Sequence, residues 1–440
     1  MNGIQSGIIF LTPQTGKKAD NIFMFKKNSA RLYIYLLVLS LLIVSFVFVS
    51  GKNQITKERV FGCGLPVMFI ETDGEKKIRS KEKYIGADFS IFENYDSYIE
   101  GNGTKYRGKI RGRGNTTWTF RKKPYFAKFN IRGGVLGMPA AQKWTIRPFM
   151  TDKSKVRDAY ATFLASTIYT NTSGGWIPDF KFVNLYLNNN FSGLYCIYEK
   201  VEQGENRINL PKDSFLFVVN SRLNKEWNFR SKQDVPFSLV DNDVPEEKFL
   251  KEKEILQSIE DQIYLQDNSK VFDFIDKASF VDWYILSEFS KNRDSDFMAS
   301  CYMAFNSETK KLYMGPVWDF DIAFGGSHMD NNFSPEDSWI NKFHWYKELW
   351  RNDEFKAAVK GRWHETKSRL KDSFGYILEE SEVLAPSAEI DDLVWRTLGR
   401  KQWPHTPGYK SRKTYQAEVD YVYNWLFKRY DWMDSYINSL

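Results

Sequence analysis

The chain has 440 residues, 42% of them apolar and 17% aromatic, enough for a large packed core and incompatible with a disordered or low-complexity protein. Its 62 Lys and Arg against 55 Asp and Glu give a net charge of +7, spread along the chain, which suits anionic ligands without arguing for nucleic acid. With 4 His, 3 Cys and no zinc-finger spacing, heptad run or internal repeat, any metal is expected on carboxylates.

The first element in chain order is Leu32–Val49, "LYIYLLVLSLLIVSFVFV", an apolar run preceded by Lys26, Lys27 and Arg31. At about 1.5 Å per residue a helix of this length just spans a bilayer. The basic flank holds its N-terminal side in the cytoplasm, so the chain after Gly51 is expected to be exported. Two versions stand. Translation from Met24 makes this a signal peptide with small residues for cleavage after Ser50, and the longer leader makes it an uncleaved signal anchor through residues 32–49. Either way the protein is expected at the cell surface or in the periplasm, secreted or membrane-anchored. A buried core helix is the plainer alternative, disfavoured because no polar face interrupts the run. Cys63, Cys196 and Cys301 allow at most one bridge, and three small buried residues is the favoured reading.

After the leader, "LPVMFIET" (Leu65 to Thr72) and "ADFSIFEN" (Ala87 to Asn94) alternate like strands. "KYRGKIRGRGN" and "KPYFAKFNI" form two more, joined by a turn containing Gly and Thr. "DKSKVRDAYATFLASTIY" (Asp152 to Tyr169) has helical spacing, with Asp152 as its cap. "FKFVNLYLNNNFSGLYCIYEKVE" predicts a hairpin around "NNN". From Glu246 the pattern is largely helical, broken by the hairpin-like "CYMAFNSETKKLYMGPVWDFD". The expected organisation is a leader (1–51) with one apolar helix, a β-rich part (52–245) and a helix-rich part (246–440). That is an α+β fold rather than alternating βαβ units.

Three stretches carry chemistry. In "RGRGNTTW", Gly112 and Gly114 permit the close backbone approach with which consecutive N–H groups cradle phosphate, and Arg111, Arg113, Arg121, Lys122 and Lys123 add positive charge. Taken alone, a Gly-containing hairpin turn with a solvated basic edge explains it equally well; no P-loop spacing is present. In "KKPYFAKFN", alternation puts Phe126 and Lys128 on one strand face and Lys123, Tyr125 and Ala127 on the other. A lysine here could reach phosphates, held by Glu199 or Glu202 as the Lys–Glu pair of protein kinases is. Ordinary surface lysines and glutamates are the competing reading. The third stretch, "KNRDSDFMASCY", holds Asp294 and Asp296, and the hairpin after it leads to Asp319 and Asp321. One carboxylate could hold Mg2+ while another orients or deprotonates a hydroxyl. A glycosidase-type pair fits the same residue types, so the residues alone stop at a metal or acid/base site.

"RGRGNTTWTFRKKPYFAKF", "VLGMPAAQKW", "NLYLNNNFSGLYCIYEKVEQGENRINL", "NRDS" and "GPVWDFDIAFG", in this order between Leu65 and Gly326, together resemble the CotH kinase family in the form seen in gut-dwelling Bacteroides-like bacteria. The resemblance implies a divergent, atypical protein-kinase-like fold. It implies a secreted or surface enzyme that transfers the γ-phosphate of ATP, with Mg2+, to Ser or Thr of a protein substrate. It makes Asp294 the candidate base, Asp319 the metal ligand and Asp321 a second ligand or a structural carboxylate. The turn Arg111, Gly112, Arg113, Gly114 and Asn115 becomes the phosphate-covering loop, with Lys123 or Lys128 on phosphate and Glu199 as partner. "NRDSDFMASCY" is one residue longer than the family pattern between Asp and Tyr, so Asp296 competes with Asp294. The rival from another class is a catalytically idle kinase-like module binding a protein or a cell-surface glycan through its many aromatic residues. A glycoside hydrolase leaves the Gly-rich turn unexplained.

Overall fold

Alternating apolar and polar residues make the first half of the chain a sheet that closes on itself. The computed structural model describes residues 55–172, 176–241 and 243–440; Leu32–Val49 and the rest of the leader lie outside the described residues. Strands β1 (Val67–Thr72), β2 (Ile85–Phe92), β3 (Thr104–Gly112), β4 (Tyr125–Val135), β5 (Met138–Pro148), β6 (Phe180–Leu187) and β7 (Asn190–Glu199) form a closed barrel in the order β1-β2-β3-β4-β5-β7-β6. The seam is the parallel pairing of β1 with β6. One parity of every strand fills the interior, with Met68, Phe89, Ile110, Ala127, Trp144 and Ile197 among the residues there. The other parity of β3, β4 and β5, including Arg111, Phe126, Lys128 and Arg147, faces outward.

The hairpin expected around "NNN" is β6–β7. Asn188 and Asn189 form its two-residue turn at φ 47° and 59°, the left-handed values such a turn needs and asparagine tolerates. The helix expected from Asp152 starts later. Lys155 sits at φ 66°, which no helix passes through, so α3 runs only Arg157–Thr167 and Asp152 is not its cap. The Asp152 carboxylate instead accepts from the backbone N–H of Ser154 (2.9 Å) and of Arg157 (3.0 Å) and pairs with the Arg157 guanidinium at 2.5 Å. Two short helices, α1 (Lys57–Phe61) and α2 (Tyr95–Glu100), meet through Phe61 against Tyr95 and Tyr98, and Tyr98 stacks on Phe69 of β1. Cys63, Cys196 and Cys301 are buried free thiols.

A second, antiparallel sheet has the order β12-β11-β8-β10-β9. It joins β8 (Phe215–Asn220), β9 (Asn228–Arg230) and β10 (Pro236–Leu239), which the sequence reading passes over, to the expected hairpin β11 (Ala299–Asn306) and β12 (Lys311–Met314). The helices of this half are α4 (Glu246–Ile263), α5 (Lys277–Ser290), which packs on β12, α6 (His344–Leu349), α7 (Asp353–Asp372), α8 (Gly375–Trp395), which packs on β7 of the barrel, and α9 (Tyr415–Asn438), which packs on α8. The fold is α+β, with Lys57–Leu440 as one compact unit. No helix among the described residues is long and apolar enough to cross a membrane.

Helix α5 is buried from Ser279 to Ser290, and near its end Glu288 meets Arg429 of α9, both side chains 0% exposed. The guanidinium donates to Glu288 Oε1 (2.8 Å) and to the carbonyls of Pro335 (2.9 Å) and Asp337 (2.8 Å), while the carboxylate accepts from the N–H groups of Trp339 and Ile340, both 2.8 Å away. Such a pair is tolerated because both carboxylate oxygens and both Nη groups are matched, which leaves only the guanidinium Nε–H without a partner. Arg429→Ala is therefore expected to lower stability by about 3–5 kcal/mol, read as an earlier midpoint in denaturant unfolding. A shift within 0.5 kcal/mol, the size of an ordinary surface substitution, would show the pair to be dispensable.

Candidate active site

The stretch after β12 places two carboxylates by alternation. Phe320, Ile322, Ala323 and Phe324 enter the core, which turns Asp319 and Asp321 the other way. Asp319 takes φ 69°, a left-handed value that aspartate accepts more readily than a bulky residue. The next N–H, of Phe320, donates to Asp158 Oδ1 at 2.8 Å, which fixes this loop to the first turn of α3. Asp294 and Asp296 lie in the single 3-10 turn Arg293–Asp296 that follows α5.

Arg147, at the end of β5, is the centre of the arrangement. Its Nη1 pairs with Asp158 and its Nη2 with Asp319, each at 2.6 Å, and its plane lies over Tyr198 (4.9 Å) and Trp318 (5.2 Å). Burial alone would lower its pKa; the Asp158 and Asp319 carboxylates outweigh that and raise it above the ordinary arginine value. Tyr198 donates to Asp158 at 2.9 Å, Ser300 to Asp319 Oδ2 at 3.3 Å, and Thr151 to Asp321. The carboxylates feel one another. Burial, then Asp319, pushes Asp321 up to about 7, and burial followed by Asp319 and Asp321 holds Asp294 well above the carboxylate range. Asp319 has 36% of its side chain exposed and so is within reach of an incoming ligand.

The "RGRGN" turn is partly brought into this site. The Arg113 guanidinium stands 6.0 Å from the Trp318 ring; burial first, then Arg147 beside it, lowers its pKa to about 10. Arg111 instead serves the turn itself, donating to the carbonyls of Lys81 and Gly112 between the rings of Tyr84 and Phe126. The Gly112 and Arg113 amides are already occupied by the Ser80 and Pro124 carbonyls, at 2.8 and 3.2 Å. Gly114 needs its φ of 80°, and a Cβ there would strike Thr117. Asn115 is exposed ahead of the 3-10 turn Thr116–Thr119. Lys123 donates to the Trp118 carbonyl at 2.6 Å and lies over its ring.

Glu199 does not meet either lysine. It shares the parity of Tyr195 and Ile197, which face the barrel interior, and it binds Arg207 (2.5 Å) and the Asp179 N–H (3.0 Å). Lys128 is on the outer face, opposite Lys143 of β5, and the Lys–Glu pair there is Lys143 with Glu202 at 2.8 Å, which Lys200 joins at 3.0 Å. Asp296 is engaged by Arg293 and by the Met298 N–H at 3.0 Å, whereas the Asp294 carboxyl feels the charges of Asp319 and Asp321, which add to burial in raising its pKa.

Residues 110–433 match the family model described as CotH kinase protein. The chain belongs to the CotH kinase family. Comparison with curated proteins returns no match. At the level of the family this makes it an atypical kinase, a class that uses ATP and acts on protein substrates.

In this CotH kinase the sequence reading missed Arg147, Thr151 and Asp158. The signal was an arginine of outward parity closing the apolar strand "KWTIRPF", and a second charged residue beside Arg157 in the first turn of a buried helix. Among the described residues no three His, Cys, Asp or Glu side chains are set as a metal site. The donor chemistry nevertheless fits a hard divalent cation. Asp319 and Asp321 offer carboxylate oxygens whose mutual repulsion a cation relieves, and Mg2+ takes one or two carboxylates and leaves its other positions to phosphate and water.

Arg147→Met is expected to strand two carboxylates and cost about 3–5 kcal/mol, measured by denaturant unfolding. Combining it with Asp158→Asn and Asp319→Asn should recover part of that loss, because no uncompensated charge remains; a triple variant as unstable as the single one would mean the ion pairs are not the cause.

Proposed function

We propose that this chain is an exported, Mg2+-dependent atypical protein kinase that transfers the γ-phosphate of ATP to Ser or Thr hydroxyls of a surface or secreted protein. The reading rests on one observation, the convergence of Asp294, Asp319 and Asp321 with the Arg113 and Arg147 guanidinium groups at the rim of the barrel. A kinase-like division of labour follows. The β-rich part (52–245) supplies the nucleotide surface, namely the Arg111–Asn115 turn and the outer lysines Lys128 and Lys143. The helix-rich part (246–440) supplies the acids.

With a cation neutralising Asp319 and Asp321, whose charges help to raise the Asp294 pKa, Asp294 acts in its ionised form: it accepts the proton of the Ser or Thr hydroxyl as the hydroxyl oxygen bonds to the γ-phosphorus, and the bond from that phosphorus to the bridging oxygen breaks to release ADP. Arg113, which has no ion pair among the described residues, is placed to meet phosphate oxygens. Arg147 holds Asp319 in position. Mg2+ bound by Asp319 and Asp321 supplies the charge neutralisation that phosphate transfer needs. The idle-module alternative draws its support from aromatic residues, yet among the described residues no tryptophan is exposed to form a sugar platform.

Asp319→Asn is expected to lose Mg2+-dependent ATP binding and transfer together. Asp294→Asn should keep ATP binding while transfer to a Ser/Thr-rich acceptor falls by about 10²–10⁴-fold, the worth of a positioned base. Asp296→Asn should remain active. Radiolabelled phosphate transfer and ATP titration separate these outcomes, and a fully active Asp319→Asn would refute the mechanism. For export, residues 1–60 fused to a periplasmic reporter should be active outside the inner membrane. A reporter working only in the cytoplasm removes that part of the proposal, and mass spectrometry of the mature N-terminus separates cleavage from anchoring.

A further inference from the structure

The loop between α8 and α9 runs from Arg396 to Thr414 and contains no acidic residue; none occurs anywhere between positions 393 and 417. Arg396, Arg400, Lys401, Lys410 and Lys413 are exposed on it, and among the described residues none of the five has an ion pair. The two acids that flank the loop are already engaged. Asp392 accepts from the Thr397 and Leu398 N–H groups, at 2.6 and 3.0 Å, and Glu418 takes Arg412 at 3.0 Å. The result is an uncompensated positive surface. It is one that screening by salt weakens but no ion pair among the described residues neutralises.

This loop is held against both halves of the site. On one side the Phe120 and Trp403 rings meet at 6.1 Å and Arg121, itself exposed, donates to the Trp395 carbonyl at 2.8 Å, which joins the loop to the strand-connecting turn that begins at "RGRGN". On the other, His405 stacks on His328 at 4.2 Å, seven positions past Asp321, and Lys153 donates to the Arg400 carbonyl at 2.7 Å. Between His328 and the loop opens a cavity of about 290 Å³ walled by His405, Pro407 and Tyr409 among others. The His328 Nδ1 is buried there without a hydrogen-bond partner.

We propose that this basic loop, together with Arg121, docks an acidic segment of the protein substrate, one side chain of which enters the cavity beside His328. The inference rests on the kinase reading and adds the substrate class to it. The charge suits any polyanion, including an anionic bilayer. The recess decides between them: a flat lipid surface has nothing to place in it, whereas a peptide side chain fills it against the His328 and His405 rings. Contacts at Phe120, Arg121 and His328 tie this docking surface to the two motif-bearing stretches.

The test uses the full chain and two labelled peptides with the same Ser acceptor, flanked by Asp and Glu in one and by Gly and Gln in the other. Fluorescence anisotropy without ATP is expected to show at least about tenfold tighter binding of the acidic peptide at low salt, in keeping with electrostatic steering. In the variant Arg400→Glu, Lys401→Glu, Lys410→Glu, Lys413→Glu that preference should fall to about one, and in the milder Arg400→Gln, Lys410→Gln it should be partly lost. The positions are exposed, and an unchanged melting curve confirms folding. With Mg-ATP the ratio of kcat/KM for acidic over neutral peptide should follow the same order, through KM. Equal binding of the two peptides by the wild type, or an undiminished preference in the quadruple variant, overturns the proposal. So does binding to phosphatidylglycerol vesicles in place of the acidic peptide, which assigns the surface to membrane. Acidic-peptide binding without phosphate transfer under any condition sinks the kinase reading and leaves the docking surface standing.

Discussion

Arg147 is the constraint on which the site depends. A guanidinium presents two donor edges in a fixed plane, and here one edge takes Asp158 of α3, the helix between β5 and β6, and the other takes Asp319 of the loop after the second sheet. Three separately folded stretches thus share one cation. Without it the carboxylates would repel one another and the loop would lose its link to the barrel. The aromatic rings of Tyr198 and Trp318 on its faces leave it little freedom to follow either acid if they moved apart.

A second set of buried charges serves the same purpose farther from the chemistry. Asp391 near the end of α8 receives Lys122 at 2.6 Å and Lys155 at 3.2 Å, and its Oδ1 also accepts from the Leu194 N–H of β7 at 2.9 Å. One acid between two lysines leaves net positive charge in the interior. Burial, then Lys155 among other groups, lowers the Lys122 pKa to about 8, although Asp391 itself raises it. The same carboxylate fills the space beside Gly193, at φ 100°, where a side chain would collide with it. The C-terminal helices are thereby registered against the barrel.

Much of this was legible in the sequence, and what was not has identifiable causes. Strand parity, the two-asparagine turn and the order of the motifs follow from local chemistry, and so does the pairing of outward acids with inward aromatics in "WDFDIAF". Partners of charged residues are set by distant chain. Glu199 found Arg207 across a tight turn, and Lys143, not Lys123, found Glu202. The Glu199 outcome was countable, since two steps from Ile197 on a strand return to the same face. The late start of α3 was not: nothing in "DKSKVRD" announces a left-handed lysine.

The barrel seam has a consequence for how the chain acquires its shape. Strand β1 pairs with β2 next to it in sequence, but also with β6, from Val67 against Asn184 to Ile70 against Leu187. A polypeptide delivered N-terminus first therefore carries an open β1 edge until the residues around 187 have emerged, and an unclosed sheet until β7 follows. During that interval the unpaired side of β1, with Val67, Met68 and Ile70 on a six-residue strand, is a template for other chains. The last strand to seal the cylinder is β7, which inserts between β5 and β6, so closure is a late event with long loop-closure entropy, and slow delivery or missing helper factors would show first as aggregation rather than as an inactive folded enzyme.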